Sequence, residues 1–278
     1  MIGEDSMHIA YGYLSGLGDT IRDYNISEVV VAWDQGHRVK DELYPQYKAG
    51  RKSNLTDEQR EQFNIQFDTL NGILFDLGIR CCYATGYEAD DIIAHLCAGK
   101  SVNDFHVDAG KIDTFTIQRP ILILSGDHDL YALLEDDVSI WKSRKRELYT
   151  IDAFRKEYPN LSPKQYTEIL ALAGCSSDNV PGAKGIGPSS AKKLLAIYGS
   201  IKAMLDIDIA ECTDKLLLKV LDSRDRVLLS KQLVTFESVV PIMLTSAAQI
   251  DKVKEQILIA GMGSIMDIWP ELSSVSRL

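Results

Sequence analysis

The sequence predicts an α/β fold: a mainly parallel sheet flanked by helices, followed by a helical subdomain. Three observations lead there. Up to about residue 150, short apolar runs alternate with helical periods, the pattern of strand–helix–strand units. Two of those runs, Val29-Val-Val-Ala-Trp-Asp34 and Pro120-Ile-Leu-Ile-Leu-Ser-Gly-Asp127, end on carboxylates. Beyond residue 150 helical spacing dominates, with no convincing long strand. The expected division is an α/β domain over 1–150 and a helical subdomain over 151–278.

Taken in order, residues 8–24 carry Ile9, Tyr13, Leu17 and Ile21 at four-residue spacing, which predicts a helix. A strand over 28–33 follows. Residues 35–55 are polar and basic, with Pro45 and Gly50 and no core-facing period; they read as a long surface loop or a mobile arch. Thr56 with Gln59 three residues on forms a capping box. The helix it opens runs to Leu77-Gly78, where Gly ends it. A short strand at 79–83 precedes a helix that begins at Gly86-Tyr-Glu-Ala-Asp-Asp91 and runs to Gly99. Residues 100–119 read as an irregular insertion. The strand at 120–125 leads to a helix at 129–135. A small hairpin then surrounds Lys142-Ser-Arg-Lys-Arg146. Ser162-Pro163 starts a helix by placing Pro in the first turn. Gly185-Ile-Gly-Pro-Ser-Ser reads as a tight turn opening another helix. Two or three more helices fill 200–240, and one is expected at 250–260.

Composition sets outer limits. The chain has 278 residues, 45% of them hydrophobic, and a formal net charge of −10. No apolar run approaches the ~20 residues of a membrane span. The acidic start Met1-Ile-Gly-Glu-Asp-Ser does not look like a secretory signal. Five cysteines without paired spacing suggest reduced thiols, so a cytoplasmic protein is expected. A net negative charge is unusual for a nucleic-acid binder. The cations, however, are grouped: Lys40, Lys48, Arg51 and Lys52; Lys142, Arg144, Lys145 and Arg146; Lys184, Lys192 and Lys193. Grouping matters more than the sum when the ligand is a polyanion.

The chemistry concentrates in the carboxylates. Glu88, Asp90 and Asp91 fall at a helix start, where acidic side chains also serve simply to complement the helix dipole. Asp34, Asp127 and Asp129 follow strands, and the carboxyl ends of parallel strands share one edge of a sheet. Like charges held together need a cation, and oxygen ligands favour Mg²⁺ or Mn²⁺. The glycines of 185–187 let backbone approach a phosphate, and the free N–H groups of the helix start can bind it. Lys184, Lys192 and Lys193 flank that turn. The plain alternative is a helix–turn–helix hairpin without a ligand.

Four ordered blocks resemble the 5′-nuclease family, which includes phage 5′–3′ exonucleases, the 5′-nuclease domain of bacterial DNA polymerase I and flap endonucleases. They are Asp34 with Arg38, Leu43-Tyr-Pro-Gln-Tyr-Lys48 and Arg51; Glu88-Ala-Asp-Asp91; Ser125-Gly-Asp-His-Asp129; and Ser177-Asp-Asn-Val-Pro-Gly with Gly185-Ile-Gly. The resemblance spans residues 10–205. It implies a PIN-like fold and two-metal phosphodiester hydrolysis, with ions ~4 Å apart. By position, Asp34, Glu88, Asp90 and Asp127 would hold or support one ion. Asp129 and Asp178 would lie toward the other, with Asp91 behind them or merely capping its helix. Lys48 and Arg51 would contact the scissile phosphate at the arch base, and Arg38 would lie near the DNA. Tyr47 would stack on the terminal base or pack against the arch. Lys184, Gly185, Gly187, Ser189, Lys192 and Lys193 would grip duplex DNA in a helix–three-turn–helix, where the resemblance also allows a K⁺ ion. The implied substrates are DNA 5′ ends, flaps or nicks and RNA–DNA hybrids, handled by a monomer in a bacterial or phage-infected cell.

Two departures stand out. The family begins with an apolar strand ending in Asp-Gly, and only Met1–Met7 precede the first helix here. Cys175 stands where a carboxylate of the second metal site is expected, and a thiol suits Mg²⁺ poorly. They leave two further readings open: a DNA-structure-binding homologue that cleaves weakly or not at all, and one part of a split nuclease completed by a strand from another chain.

Overall fold

The computed structural model describes residues 7–50, 55–239 and 241–275. Helix α1 (His8–Tyr24) ends at Asn25 in the left-handed conformation and leads into β1 (Val30–Trp33). The expected arch contains a short helix, α2 (Arg38–Leu43). Helix α3 (Asp57–Asp76) starts with the expected capping box: Thr56 Oγ1 accepts from Gln59 N–H and the Gln59 side chain accepts from Thr56 N–H. Next come β2 (Arg80–Tyr83) and α4 (Ala89–Cys97).

Residues 100–119 form a hairpin, β3 (Val102–His106) and β4 (Lys111–Phe115), where an irregular insertion was expected. The reason is a buried ionic network that hydropathy does not register. Asp104, 1% exposed, accepts from Arg80 Nε at 2.8 Å and from the Thr245 hydroxyl. The Arg80 guanidinium also lies 4.0 Å from the Phe115 ring centre. After β5 (Ile121–Leu124), residues Asp129–Leu133 form a 3-10 helix. The hairpin β6 (Val138–Lys142) and β7 (Glu147–Tyr149) is as expected.

The sheet is mixed and comes in two parts. One has the order β1-β2-β8-β3-β4 and the other β5-β6-β7. Strand β8 (Ile242–Thr245) comes from the tail, runs parallel to β3 and antiparallel to β2, and lies between them. The tail, expected within the helical subdomain over 151–278, therefore contributes a strand to the first sheet. The tail returns to the first part of the chain, where Val253, Ile257, Ile265 and Leu272 join α1 and α3 in one core. Helix α4 spans both sheets. Its Ile92 and Leu96 pack with Cys82 and Ala84, and its Cys97 packs with Ile121 and Ile123. Strands β1 and β5 each pair on one side only among the described residues.

The helical part consists of α5 (Ile151–Glu157), α6 (Tyr166–Ala173), α7 (Pro188–Tyr198), α8 (Ile201–Leu205), α9 (Lys215–Asp222) and α10 (Arg224–Val234). The tail adds α11 (Ile250–Ile259) and α12 (Trp269–Ser274). Between α6 and α7 the chain doubles back at Gly174 and Gly182, both at positive φ. A Cβ on Gly182 would lie 2.5 Å from Gly174 N, so only glycine fits there.

Candidate active site

The carboxyl ends of β5 and the start of α4 bring most of the predicted acidic residues to one pocket. Glu88, Asp90, Asp127, Asp129, Asp178 and Cys175 line it, together with Lys40, Tyr47 and Lys48. Each part has a local cause. Strand β5 ends at Leu124 and delivers Ser125-Gly-Asp127; Asp127 Oδ1 accepts from Asp129 N–H at 2.9 Å and shapes that turn. Gln35 and Gly86 share a backbone bond of 3.1 Å that carries the loop after β1 to the start of α4. Asp178 reaches the pocket from the α6–α7 turn. That turn is tied to the arch base: Lys48 N–H donates to Asp178 O at 3.0 Å, and Asn179 Nδ2 donates to Gln46 O at 2.8 Å.

Charge compensation in the pocket is uneven. Glu88 is buried and accepts three donors: Lys40 Nζ at 2.6 Å, the Tyr47 hydroxyl at 3.1 Å and Lys48 Nζ. Burial alone would raise its carboxyl pKa, but Lys40 and Lys48 hold it down at about 2. Asp90 and Asp129 go the other way. Burial, reinforced by the charge of Asp127, pushes Asp90 up to about 7 and Asp129 up to about 6. Among the described residues, no lysine pairs directly with either acid as Lys40 and Lys48 do with Glu88. The oxygen-rich donor set suits Mg²⁺ or Mn²⁺. Among the described residues, no three of these groups are placed around one ion, and Glu88 is turned onto the lysines.

Other expected residues lie elsewhere. Asp34 is exposed and does not line the pocket; its Oδ1 accepts from Gly36 N–H at 2.9 Å, turning the loop after β1. Asp91 is 1% exposed and caps its helix, accepting from Glu88 N–H at 3.2 Å and Glu237 N–H at 2.8 Å. Tyr47 is buried, with its hydroxyl on Glu88, so it does not offer a face for a base to stack on. Arg38 is exposed and pairs with Glu42 at 3.3 Å, away from the pocket. Lys48 points into the acidic cluster as expected, from a backbone at φ 50°. Arg51 lies outside the described residues. Lys40 was missed as a site residue: its partner is 48 positions away, and only its place in a basic group hinted at a role.

The expected docking turn is present. Gly185 has φ 74°, Gly187 is the N-cap of α7, Pro188 fills the first turn, and no side chain caps that end. Lys184, Ser189 and Lys193 are exposed, whereas Lys192 lies over the Tyr158 ring at 3.8 Å.

Comparison with known proteins bears on this arrangement. Residues 3–159 match the 5′-3′ exonuclease N-terminal resolvase-like domain, and residues 161–256 match the 5′-3′ exonuclease C-terminal SAM fold. The chain is 30% identical to a DNA polymerase I of Chloroflexus aurantiacus over 272 residues, 95% of this chain and 26% of that protein. It is 33% identical to a 5′-3′ exonuclease of Bacillus subtilis over 200 residues, 70% of this chain and 60% of that one. The chain thus spans about a quarter of that polymerase and less than two thirds of the exonuclease. In fold it is similar to the T5 D15 protein crystallised with metal ions, with a TM-score of 0.65 at 18% identity, covering 96% of this chain and 90% of that one. With both domain descriptions matched in order along most of its length, the chain belongs to the 5′-3′ exonuclease family.

Proposed function

We propose that this chain hydrolyses phosphodiester bonds near 5′ ends of DNA, as a 5′–3′ exonuclease or flap endonuclease that depends on Mg²⁺ or Mn²⁺. The observation that carries the reading is the convergence of Glu88, Asp90, Asp127, Asp129 and Asp178 with Lys48 in one pocket. Asp90, Asp127, Asp129 and Asp178 would hold the metal, two ions by resemblance to the family. Bound metal would supply an acidified water and neutralise the leaving oxygen. Lys48 would leave Glu88 for the scissile phosphate and stabilise charge there. The uncapped start of α7 with Lys184 and Lys193 would take backbone phosphates of the duplex, and a K⁺ ion would fit the turn before it.

Flaps, nicks and RNA–DNA hybrids are the substrates this reading includes, handled by a monomer. The edges of β1 and β5, each paired on one side, support a further strand reaching this sheet from another polypeptide. No helix among the described residues is long and apolar enough to cross a membrane. The direct test is a labelled 5′-flap substrate with Mg²⁺, Mn²⁺ or chelator. Absence of cleavage with every divalent ion would refute the reading.

A second reading, a DNA-structure-binding homologue that cleaves weakly, is favoured by two observations: Cys175 lines the pocket, and Asp34 does not. Cys175→Asp separates the two readings. It should raise the cleavage rate at fixed Mg²⁺ and leave DNA affinity little changed. An unchanged rate would show that position 175 is not a metal position.

A further inference from the structure

Helix α2 is six residues long and mostly solvent-facing, yet its Lys40 side chain is only 8% exposed. The ammonium lies 2.6 Å from Glu88 Oε2, 3.9 Å from Asp91 Oδ1 and 5.6 Å from the Tyr47 ring centre. Burying an ammonium costs several kcal/mol unless its partners are well placed. Here the carboxylate partner is held in turn by Lys48 and Tyr47. The pocket has five carboxylates and two ammoniums, and both ammoniums crowd onto one carboxylate. They differ in how they are held. Lys48 stands in a turn at φ 50°, whereas Lys40 is fixed in a helix. If Glu88 turned toward a metal ion, the remaining carboxylate in ion-pair reach of Lys40 among the described residues would be Asp91, at 3.9 Å.

We propose that Lys40 is a positioning residue acting through Glu88: its buried ammonium keeps that carboxylate turned toward the arch and so sets how tightly the pocket takes divalent cations. The site then has a fixed internal cation at one end and an exchangeable metal at the other. Lys48 is the shared element, released to substrate when Glu88 is already satisfied by Lys40. This inference rests on the reading of the pocket as a divalent-metal site.

The test is Mn²⁺ binding to the metal-free protein, followed by electron paramagnetic resonance of the free ion. Lys40→Met should bind Mn²⁺ about tenfold tighter, because Glu88 is freed to ligate. Lys40→Arg should stay near wild type. Lys40→Gln, whose amide still donates to Glu88, should tighten binding about threefold, and it serves where Lys40→Met does not fold. In a Glu88→Gln background the tightening should vanish. A merely structural lysine would leave Mn²⁺ affinity unchanged or weaker on removal, and that result overturns the proposal. Tightening that persists without Glu88 also overturns it, since Lys40 would then act by charge alone. A wild-type protein that takes up no Mn²⁺ would instead overturn the reading of the pocket itself.

Discussion

Replacing Glu88 by Gln should destabilise the metal-free protein strongly at neutral pH. The change keeps the shape of the side chain and removes the charge that Lys40 and Lys48 share. The carboxyl is held at about 2 against an ordinary 4.5, and that difference is worth about 3 kcal/mol. Removing one partner of a buried pair costs about 3–5 kcal/mol in general, so the two approaches agree. For a chain of this size about 3 kcal/mol corresponds to a Tm lower by roughly 6–12 °C. The pH dependence has a definite sign. A carboxyl with a depressed folded-state pKa contributes its stability above the unfolded value and loses it as pH falls through the folded one. The gap between wild type and Glu88→Gln should thus be full at pH 7 and close progressively between pH 4.5 and pH 2. Thermal melts of both proteins in chelator, from pH 7 downward, measure it. Equal Tm values at pH 7, or a gap that persists unchanged at pH 2, would refute the ion-pair account of Glu88.

The acids on the far side of the pocket should behave in the opposite sense. Asp90, raised from an ordinary 3.8 to about 7, costs stability progressively as pH rises between those values and in full above them; Asp90→Asn should raise the metal-free Tm at pH 8 and leave it nearly unchanged at pH 4. Lys48→Ala should slow flap cleavage at least a hundredfold while changing DNA affinity less than threefold, read from single-turnover rates and a binding titration; loss of affinity alone would make Lys48 a phosphate anchor. Replacing Lys184 and Lys193 by Ala should lower the slope of log affinity against log salt by about 2, roughly 0.9 for each phosphate contact, and an unchanged slope would remove them from the DNA surface.

Parts of this molecule were legible residue by residue. Thr56 and Gln59 marked the start of α3 because a capping box is local and needs no tertiary partner. Asp127, Asp129 and the Glu88 block were legible because a run of carboxylates beside apolar strands has few other uses. The unread parts depend on partners far away in sequence. The β3–β4 hairpin has a buried aspartate in its first strand, matched by Arg80 and by Thr245, 141 positions on. Strand β8 is four residues long and too short to show a period. Tyr47 and Lys40 lie in a stretch with no apolar pattern, and their burial depends on distant partners: Glu88 for both, and Val180 and Leu233 for the Tyr47 ring. Asp34 follows its strand as expected, but one residue of backbone turn sends its carboxylate to Gly36.

The place of β8 has a consequence for how the protein comes into being. A strand formed by residues 242–245 lies between strands formed by 80–83 and 102–106. On the ribosome, β2 and β3 therefore emerge more than a hundred residues before the segment that joins them. Until then each presents a bare edge of backbone donors and acceptors, open to any passing strand. The helices from α5 to α10 emerge in that interval and have their own apolar core with β5 and β6. That second body can set first, and the sheet against which Ile92 and Leu96 of α4 pack closes last, when the tail folds back. A nascent chain stalled at residue 236 should thus hold a formed docking turn beside an unfinished pocket, and it should aggregate through the β2 and β3 edges. Pulse proteolysis of stalled chains would show protection of 121–234 ahead of 80–115.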